Sequence, residues 1–198
     1  MIVIGLTGSI GMGKTTTAGL LAEEGAAVFD ADAVVADLYA SGGAAVDPVG
    51  EAFPGVVKDG AIDRQALTQA LRNDPEGFER LERIVHPMVA ATREKFFADA
   101  EAAGTQFAVL DVPLLFEVGL DDQVDVVMVV TAPSDVQRAR VLARPGMTAD
   151  KLDAILARQL PDSEKRARAD YVIDTSKGIE EARRQVRAAL QDMRSSRS

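Results

Sequence analysis

A glycine-rich stretch near the N-terminus restricts the possible folds more than any other part of the chain. Residues 8–15 read GSIGMGKT and fit the pattern G-x-x-x-x-G-K-[ST]. The apolar run at 2–7 is typical of a buried strand, and an amphipathic helical pattern opens at Thr15. Glycines let the backbone fold so that successive N–H groups point at a phosphate, and the helix N-terminus adds its positive dipole end. A flexible surface loop lacks this context, so the stretch predicts a loop that holds a nucleoside triphosphate.

The side chains around the glycines predict how the triphosphate is held. Lys14 is expected to reach the β- and γ-phosphates, and the hydroxyl of Thr15 to hold Mg²⁺. ATP with Mg²⁺ is therefore the expected donor. Its predicted contacts are the loop, the start of the following helix and one later arginine, namely Gly8, Gly11, Met12, Gly13, Lys14, Thr15, Thr16 and Arg144.

Charge and composition narrow the class of protein. The 198 residues carry a formal net charge of −9, which argues against nucleic-acid or anionic-membrane binding. The sequence has no cysteine, no signal-peptide pattern and no apolar run approaching about 20 residues, so we expect a soluble, cytoplasmic protein. Basic residues are concentrated at 138–168, which contains eight Lys/Arg against four Asp/Glu. This basic segment predicts an anionic ligand bound at one place.

Strands alternate with helices along the chain, which predicts an α/β fold with a doubly wound parallel sheet. Five strand patterns are found, at 2–7, 26–30, 107–111, 124–131 and 171–174. About seventy residues of mostly helical pattern separate the second strand from the third, too many for a simple crossover. We therefore predict a P-loop NTPase fold: a five-stranded parallel sheet flanked by helices, with its core at 1–32 and 105–198, a helical insertion at 33–104 and a lid at about 140–166.

Prolines and glycines mark two interruptions inside the predicted insertion. Between 47 and 60 they exclude a long element. Pro87 disfavours helical backbone at His86, so a helical pattern that runs from Pro75 to Ala103 is expected to be kinked or split there.

Carboxylates and arginines outside the loop predict the rest of a transfer site. Asp30 and Asp32 end the second strand pattern, at the edge where ligands collect in open parallel sheets, and in extended backbone they face the same side. Asp32 is the expected base for an acceptor hydroxyl, with a helix N-cap as the alternative. Arg140 and Arg144 share one helix face with Gln137 and can close on a polyphosphate, with a solvated charged face as the alternative.

The remaining chemistry separates the classes of P-loop protein. The only asparagine, Asn73, is followed by Asp74, so the sequence lacks the N-K-x-D motif with which switch GTPases read guanine. A small-molecule kinase and an ATP-driven regulatory or motor protein stay open at this point.

Six segments in order along the chain carry a family resemblance: GLTG at 5–8, DAD at 30–32, HP at 86–87, PLLFE at 113–117, Q-x-x-R-x-x-x-R at 137–144 and ADYVID at 169–174. Together they resemble dephospho-CoA kinase, and DAD and PLLFE at these spacings are the more specific ones. The resemblance implies ATP-dependent phosphorylation of the ribose 3′-hydroxyl of dephospho-CoA, the last step of coenzyme A synthesis. It also implies that the insertion at 33–104 binds the acceptor.

The resemblance also implies roles for single residues. The catalytic residues are then Asp32, Lys14 and Arg140, and Asp111 supports Mg²⁺ through water. The acceptor is held by Asp32, Arg64, His86, Leu115 and Glu117. Plainer alternatives are a surface position for Arg64, a structural cap or a packed position before Pro87 for His86, core packing for Leu115, and capping for Asp111 and Glu117.

The sequence departs from the family pattern at three positions. Ala36 and Asp37 stand where a basic residue is common, which affects one acceptor contact. Thr175 stands where asparagine is common, near the expected adenine. The residues alone leave open a nucleoside or nucleoside-monophosphate kinase, or an ATP-binding regulatory protein. The expected partners are ATP and dephospho-CoA, without nucleic acid or membrane, and the expected state is a monomer.

Overall fold

Two compact units make up the part of the chain that the structure, a computed structural model, describes, which is residues 1–196. The first unit contains Met1–Phe29 and the residues from Ala100 onward, and the second contains Asp30–Asp99. The insertion predicted at 33–104 covers nearly the same residues as the second unit. Its role in acceptor binding stays a prediction.

The strands are β1 (Ile2–Thr7), β2 (Ala27–Asp30), β3 (Val57–Lys58), β4 (Ala61–Ile62), β5 (Phe107–Asp111), β6 (Val126–Thr131) and β7 (Tyr171–Asp174). The helices are α1 (Lys14–Glu23), α2 (Ala31–Tyr39), α3 (Val46–Ala52), α4 (Arg64–Arg72), α5 (Gly77–Ala102), α6 (Ser134–Leu142), α7 (Ala149–Leu156), α8 (Asp162–Ala167) and α9 (Ile179–Ser195). A short 3₁₀ turn at Asp121–Gln123 precedes β6. None of the helices in 1–196 is both long and apolar enough to cross a membrane.

A five-stranded sheet with the order β2-β5-β1-β6-β7 forms the centre of the first unit. Strand β1 lies between β5 and β6 and is parallel to both, and β7 is parallel to β6. Every residue of β5 is buried, and so is every residue of β1 except Val3, as expected for central parallel strands covered on both faces. The predicted five-stranded parallel sheet flanked by helices is confirmed.

The core of the first unit lies between this sheet and helices α1 and α9. Leu20 and Leu21 of α1 and Val186 and Leu190 of α9 pack in one cluster with the buried strand residues. Burying such a side chain fully contributes about 1.5–3 kcal/mol. The hydroxyl of Tyr171 in β7 donates a 2.5 Å hydrogen bond to Asp192 in α9, which raises the pKa of this phenol to about 12. The end of β1, where the glycine-rich loop begins, is itself buried in this unit, since Leu6 and Thr7 are 0% exposed.

The second unit packs α2–α5 around its own apolar cluster, which includes Tyr39, Phe53 and Leu67. A hairpin of β3 and β4 belongs to it, and its two-residue turn is Asp59-Gly60, both with positive φ. Asp-Gly favours this turn because its twist matches the twist of the strands. Helix α3 and the hairpin lie in the region where no long element was expected, and both are short.

Helix α5 is continuous over its 26 residues, with Pro87 inside it. Of the two expected outcomes at His86 and Pro87, a kink or a split, the split is wrong, and the kink stays a prediction. A proline removes one backbone N–H, whereas apolar residues on both sides of it, Val85 before and Met88 after, pack in the same cluster and hold the two halves together. Tertiary packing outweighs the local preference here.

Candidate active site

The glycine-rich loop follows β1 and ends at Gly13, which caps helix α1 with a φ of 96°. Gly11 also has a positive φ, 79°, so both positions have backbone that other residues rarely adopt. At Gly8, a Cβ atom would lie 2.6 Å from the carbonyl oxygen of Val130 in β6. These three glycines are required by the backbone path, which gives the strand, loop and helix of a phosphate cradle.

Lys14 and Asp111 form an ion pair at the start of α1. The Nζ atom of Lys14 donates to Oδ1 of Asp111 at 2.5 Å, and the side chains are 16% and 6% exposed. Asp111 is the last residue of β5 and lies beside Leu6 of β1 in the sheet register. The sheet therefore brings the loop lysine and the predicted magnesium acid together, whereas Thr15 and Thr16 are exposed in the first turn of α1.

Helix α6 is tied to the other side of the loop. Gln137 donates to the carbonyl of Ile10 at 2.8 Å. Arg140 donates to both the hydroxyl and the carbonyl of Thr175, each at 2.8 Å. The Thr175 hydroxyl in turn donates to the carbonyl of Met12 at 2.7 Å. Thr175 therefore links Arg140 to the glycine-rich loop, and the two hydrogen bonds to Thr175 fix the orientation of the Arg140 guanidinium.

A cavity of about 340 Å³ opens beside the loop and is lined by residues that include Gly13, Thr16, Arg140, Arg144 and Ile179. Ile179, the first residue of α9, is 56% exposed and gives the cavity an apolar wall. Sequence reasoning missed Ile179, because one exposed apolar residue after a glycine is too common a pattern to mark a site. The cavity therefore offers two guanidiniums and an apolar surface in one place.

Ion pairs take up much of the basic segment at 138–168. Four of its basic side chains contact carboxylates, in the pairs Arg138–Asp153, Lys165–Glu117, Arg166–Asp162 and Arg168–Asp121. Arg140 and Arg144 instead line the cavity. Because these two arginines line the cavity beside the glycine-rich loop, the anionic ligand that the segment predicts is expected there. The segment contains α7 and α8, and its movement as a lid stays a prediction.

Asp32 lies in the first turn of α2, not in extended backbone. The carboxylate of Asp30 caps this helix by accepting the N–H groups of Asp32 at 2.9 Å and Ala33 at 3.0 Å. The expected same-side arrangement of Asp30 and Asp32 in a strand is therefore wrong, and so is the alternative that Asp32 is the cap. Because Asp30 is the cap, helix α2 begins at Ala31, directly after the strand, and Asp32 is exposed in its first turn.

Two further predicted acceptor contacts lie in the second unit with Asp32. Arg64 begins α4, and its guanidinium lies 5.7 Å from the ring centre of Tyr39. His86 is exposed on α5. Both side chains are accessible, and their roles stay predictions.

Leu115 and Glu117 belong to the first unit, and the side chains of both already make contacts within it. Leu115 is 0% exposed, and a Cβ atom on Gly5 would lie 2.8 Å from its Cδ2 atom. The Leu115 side chain therefore has no exposed surface with which to contact a substrate, and its role is packing. Glu117 accepts the N–H of Leu160 at 2.7 Å and pairs with Lys165 at 2.9 Å. Its carboxylate is thus already bonded on the side of α8.

The pKa of Glu117 reflects these contacts. Burial by itself raises that pKa, but the hydrogen bond from Leu160 and the ion pair with Lys165 outweigh burial and lower it below the ordinary 4.5. Because the folded-state pKa is below the unfolded one, the stabilisation is complete above the unfolded pKa and is lost as the pH falls through the folded one.

We expect Glu117→Gln to lower the thermal unfolding midpoint at pH 7 by about 6–12 °C, on the order of 3 kcal/mol, because the fully buried ammonium of Lys165 loses its counter-charge. The difference between parent and variant should shrink as the pH falls through the lowered pKa of Glu117, where the carboxylate itself becomes neutral. Thermal denaturation at several pH values measures it, with the exposed Glu51→Gln as control. A difference that is unchanged in acid would contradict the ion-pair contribution.

Comparison with known proteins adds family information to this geometry. A protein-family model described as dephospho-CoA kinase matches residues 2–181. A dephospho-CoA kinase of Rhodopseudomonas palustris (strain BisB18) is 56% identical over 190 residues, which cover 96% of this chain and 94% of the relative. One of Agrobacterium fabrum is 55% identical over 193 residues, with 98% of each chain covered. The likeness therefore extends over nearly the whole length of both relatives.

Solved structures share the fold. The TT1252 protein of Thermus thermophilus has a TM-score of 0.82 at 33% identity and covers 97% of each chain. A dephospho-CoA kinase from Campylobacter jejuni has a TM-score of 0.70 at 23% identity, with 99% and 98% covered. A shikimate kinase from Acinetobacter baumannii, with a TM-score of 0.53 at 19% identity and 99% and 94% covered, shares the fold alone.

Proposed function

The chain belongs to the dephospho-CoA kinase family, and from this we propose that it transfers the γ-phosphate of ATP to the ribose 3′-hydroxyl of dephospho-CoA. The product is coenzyme A, and the reaction is the last step of its synthesis. The observation that carries the proposal is the glycine-rich loop with Lys14 paired to Asp111 on one side and Arg140 oriented on the other. A phosphoryl-transfer enzyme needs such cations, because the transition state spreads negative charge over the phosphoryl oxygens.

ATP binds along the loop in this proposal. The N–H groups of the loop and the Lys14 ammonium hold the β- and γ-phosphates, and Arg140 neutralises charge on the transferring group. The neighbouring cavity suits the adenosine, since Ile179 offers an apolar surface and Arg144 a planar cation. Thr175, which stands where asparagine is common in the family, accepts a hydrogen bond from Arg140 and keeps this guanidinium beside the loop.

Mg²⁺ fits the oxygen donors of the site. Thr15 would hold the ion through its hydroxyl and Asp111 through water, and the ion supplies charge neutralisation of the phosphates. Within residues 1–196, no group of three or more His, Cys, Asp or Glu side chains could hold a metal. One hydroxyl and one carboxylate match the way Mg²⁺ is bound with nucleotides, by few protein ligands with phosphates and water.

The acceptor is bound and activated by the second unit in this proposal. Asp32, an exposed carboxylate, orients the 3′-hydroxyl and accepts its proton. Arg64 and His86 are the other acceptor contacts that the second unit offers in this proposal. In the first unit, the proposed acceptor contact is the segment at 113–117 with Glu117, in which the Leu115 side chain contributes packing only. The protein acts as a cytoplasmic monomer, and the net charge of −9 supports the absence of nucleic-acid and membrane partners.

A coupled ADP-release assay tests the proposed function by offering dephospho-CoA, AMP, CMP and adenosine in parallel. We expect dephospho-CoA to give a kcat/KM at least about 10³-fold higher than the other acceptors, because a site built for one acceptor leaves polar groups unpaired with another. The mass of the product and the release of its 3′-phosphate by a 3′-nucleotidase identify the position of transfer. Greater acceleration by AMP or CMP would favour a nucleoside-monophosphate kinase, and ADP release that no acceptor changes would favour a regulatory ATPase.

A further inference from the structure

Lys165 is a lysine whose side chain is 0% exposed. It lies in α8, and its charge is compensated by two oxygen atoms. Its Nζ atom lies 2.9 Å from Oε1 of Glu117 and donates to the carbonyl of Pro113 at 3.1 Å. Lysine is rarely buried, because an ammonium loses its hydration unless partners replace it. The two partners therefore explain how the charge is tolerated, but not why a charge is there.

The two partners of Lys165 are the first and the last residue of one segment, residues 113–117. This segment follows Asp111, the partner of Lys14, after a single intervening residue. The carbonyl of Pro113 also accepts the hydroxyl of Thr7 at 3.1 Å, and Thr7 ends β1 directly before the glycine-rich loop. One ammonium thus fixes both ends of the segment while the middle, Leu115, packs in the interior.

Stability alone gives a poor account of this lysine. An apolar residue of similar volume in place of a buried ion pair is often neutral or stabilising, whereas a lysine adds geometric constraint through its bonds. The ammonium is shielded from solvent, so it does not reach a substrate itself. Its effect on the reaction must pass through the residues that it holds.

We propose that Lys165 is a positioning residue for the acceptor: by bonding Pro113 and Glu117 together, it holds the 113–117 segment in the shape that binds dephospho-CoA. The inference rests on the proposed function, in which this segment contacts the acceptor. Loss of the ammonium removes the one group that bonds both ends of the segment, and it leaves Pro113 with its bond from Thr7 and Glu117 with its bond from Leu160. The ATP contacts of the loop and of Arg140 are made elsewhere. The acceptor KM should therefore respond more than the ATP KM.

Lys165→Met tests the proposal, because methionine keeps most of the volume and removes the donor. We expect the KM for dephospho-CoA to rise about tenfold, with the KM for ATP within about twofold and kcat within about threefold of the parent. The double variant Lys165→Met/Glu117→Gln covers the case in which an uncompensated Glu117 prevents folding, and the same increase in acceptor KM is expected from it. Lys95→Met is the matched control, since Lys95 makes an exposed pair with Asp99 on α5.

Each result separates positioning from a structural role. If the Lys165 variants melt at lower temperature but keep the acceptor KM of the parent, Lys165 is structural and the inference fails. It also fails if both KM values rise equally, since the effect is then not specific to the acceptor, or if neither variant folds, because the lysine is then needed for the fold. A parent protein that is inactive with dephospho-CoA but active with AMP overturns the proposed function instead, and this inference with it.

Discussion

Asp32→Asn is expected to lower kcat with dephospho-CoA by about 10²–10⁴-fold, the usual contribution of a positioned general base, and to leave the affinity for ATP within about twofold. Asparagine has the same shape but does not accept the proton of the 3′-hydroxyl. Because ATP binding is assigned to the glycine-rich loop and not to α2, the donor side should be unaffected. Steady-state kinetics give kcat, and fluorescent ATP-analogue titration gives the affinity.

Asp47→Asn is the matched control for this experiment. Asp47 is, like Asp32, an exposed aspartate in the first turn of a helix of the second unit. Both substitutions remove a favourable interaction with the helix dipole, which contributes about 0.3–1 kcal/mol. Asp47→Asn should therefore reproduce any loss of stability while keeping full activity. If Asp32→Asn turns over at the rate of Asp47→Asn, Asp32 is not the base.

Lys14→Met is expected to lower kcat/KM for ATP by about 10²–10³-fold or more, since it removes a preorganised cation from the transferring phosphate. It should also destabilise the protein by about 1–3 kcal/mol, because the carboxylate of Asp111, which is 6% exposed, loses this partner. For a chain of this size, that corresponds to a fall in the melting temperature of roughly 2–4 °C per kcal/mol.

The double variant Lys14→Met/Asp111→Asn separates the two effects of Lys14. Removing the buried negative charge together with its cation should recover most of the lost melting temperature. Activity should stay low, because the ammonium is still missing at the phosphates. Recovery of activity together with stability would mean that Lys14 acts through folding alone.

The sequence predicts the phosphate cradle and the sheet well, and both have local causes. GSIGMGKT fits backbone that glycine alone adopts easily, as the positive φ values of Gly11 and Gly13 illustrate. The continuous apolar runs of β1, β5 and β6 follow from burial on both faces. Patterns of this kind are visible within a few residues of sequence.

The wrong predictions have causes that a stretch of a few residues does not reveal. Asp32 is helical because Asp30, two residues earlier, caps the helix, and the sequence alone does not decide which of two aspartates is the cap. Helix α5 stays intact at Pro87 because residues distant in sequence pack on both halves. The hairpin at Asp59-Gly60 was missed although its turn pattern is strong, since strands of two residues have no periodicity to detect.

Lys165 is the clearest example of information that only the fold supplies. In the sequence it is one of eight basic residues in a charged segment, where a solvated surface is the usual outcome. Its partners Glu117 and Pro113 lie far earlier in the chain, and β6, α6 and α7 separate both of them from Lys165. Long-range pairing turns an ordinary lysine into a buried one, and no local pattern distinguishes the two.

The placement of the tyrosines has a practical consequence for following unfolding. The chain has two tyrosines and no tryptophan, and Tyr39 lies in the second unit while Tyr171 lies in the first. Replacing either one with phenylalanine leaves an intrinsic chromophore in one unit only. The hydroxyl of Tyr171 is hydrogen-bonded to Asp192, and the guanidinium of Arg64 lies over the ring of Tyr39. The two chromophores therefore have different environments in the folded protein. The tyrosine signal of each single variant thus reports the unfolding of one unit without an added label, and comparison of the two distinguishes sequential from concerted melting.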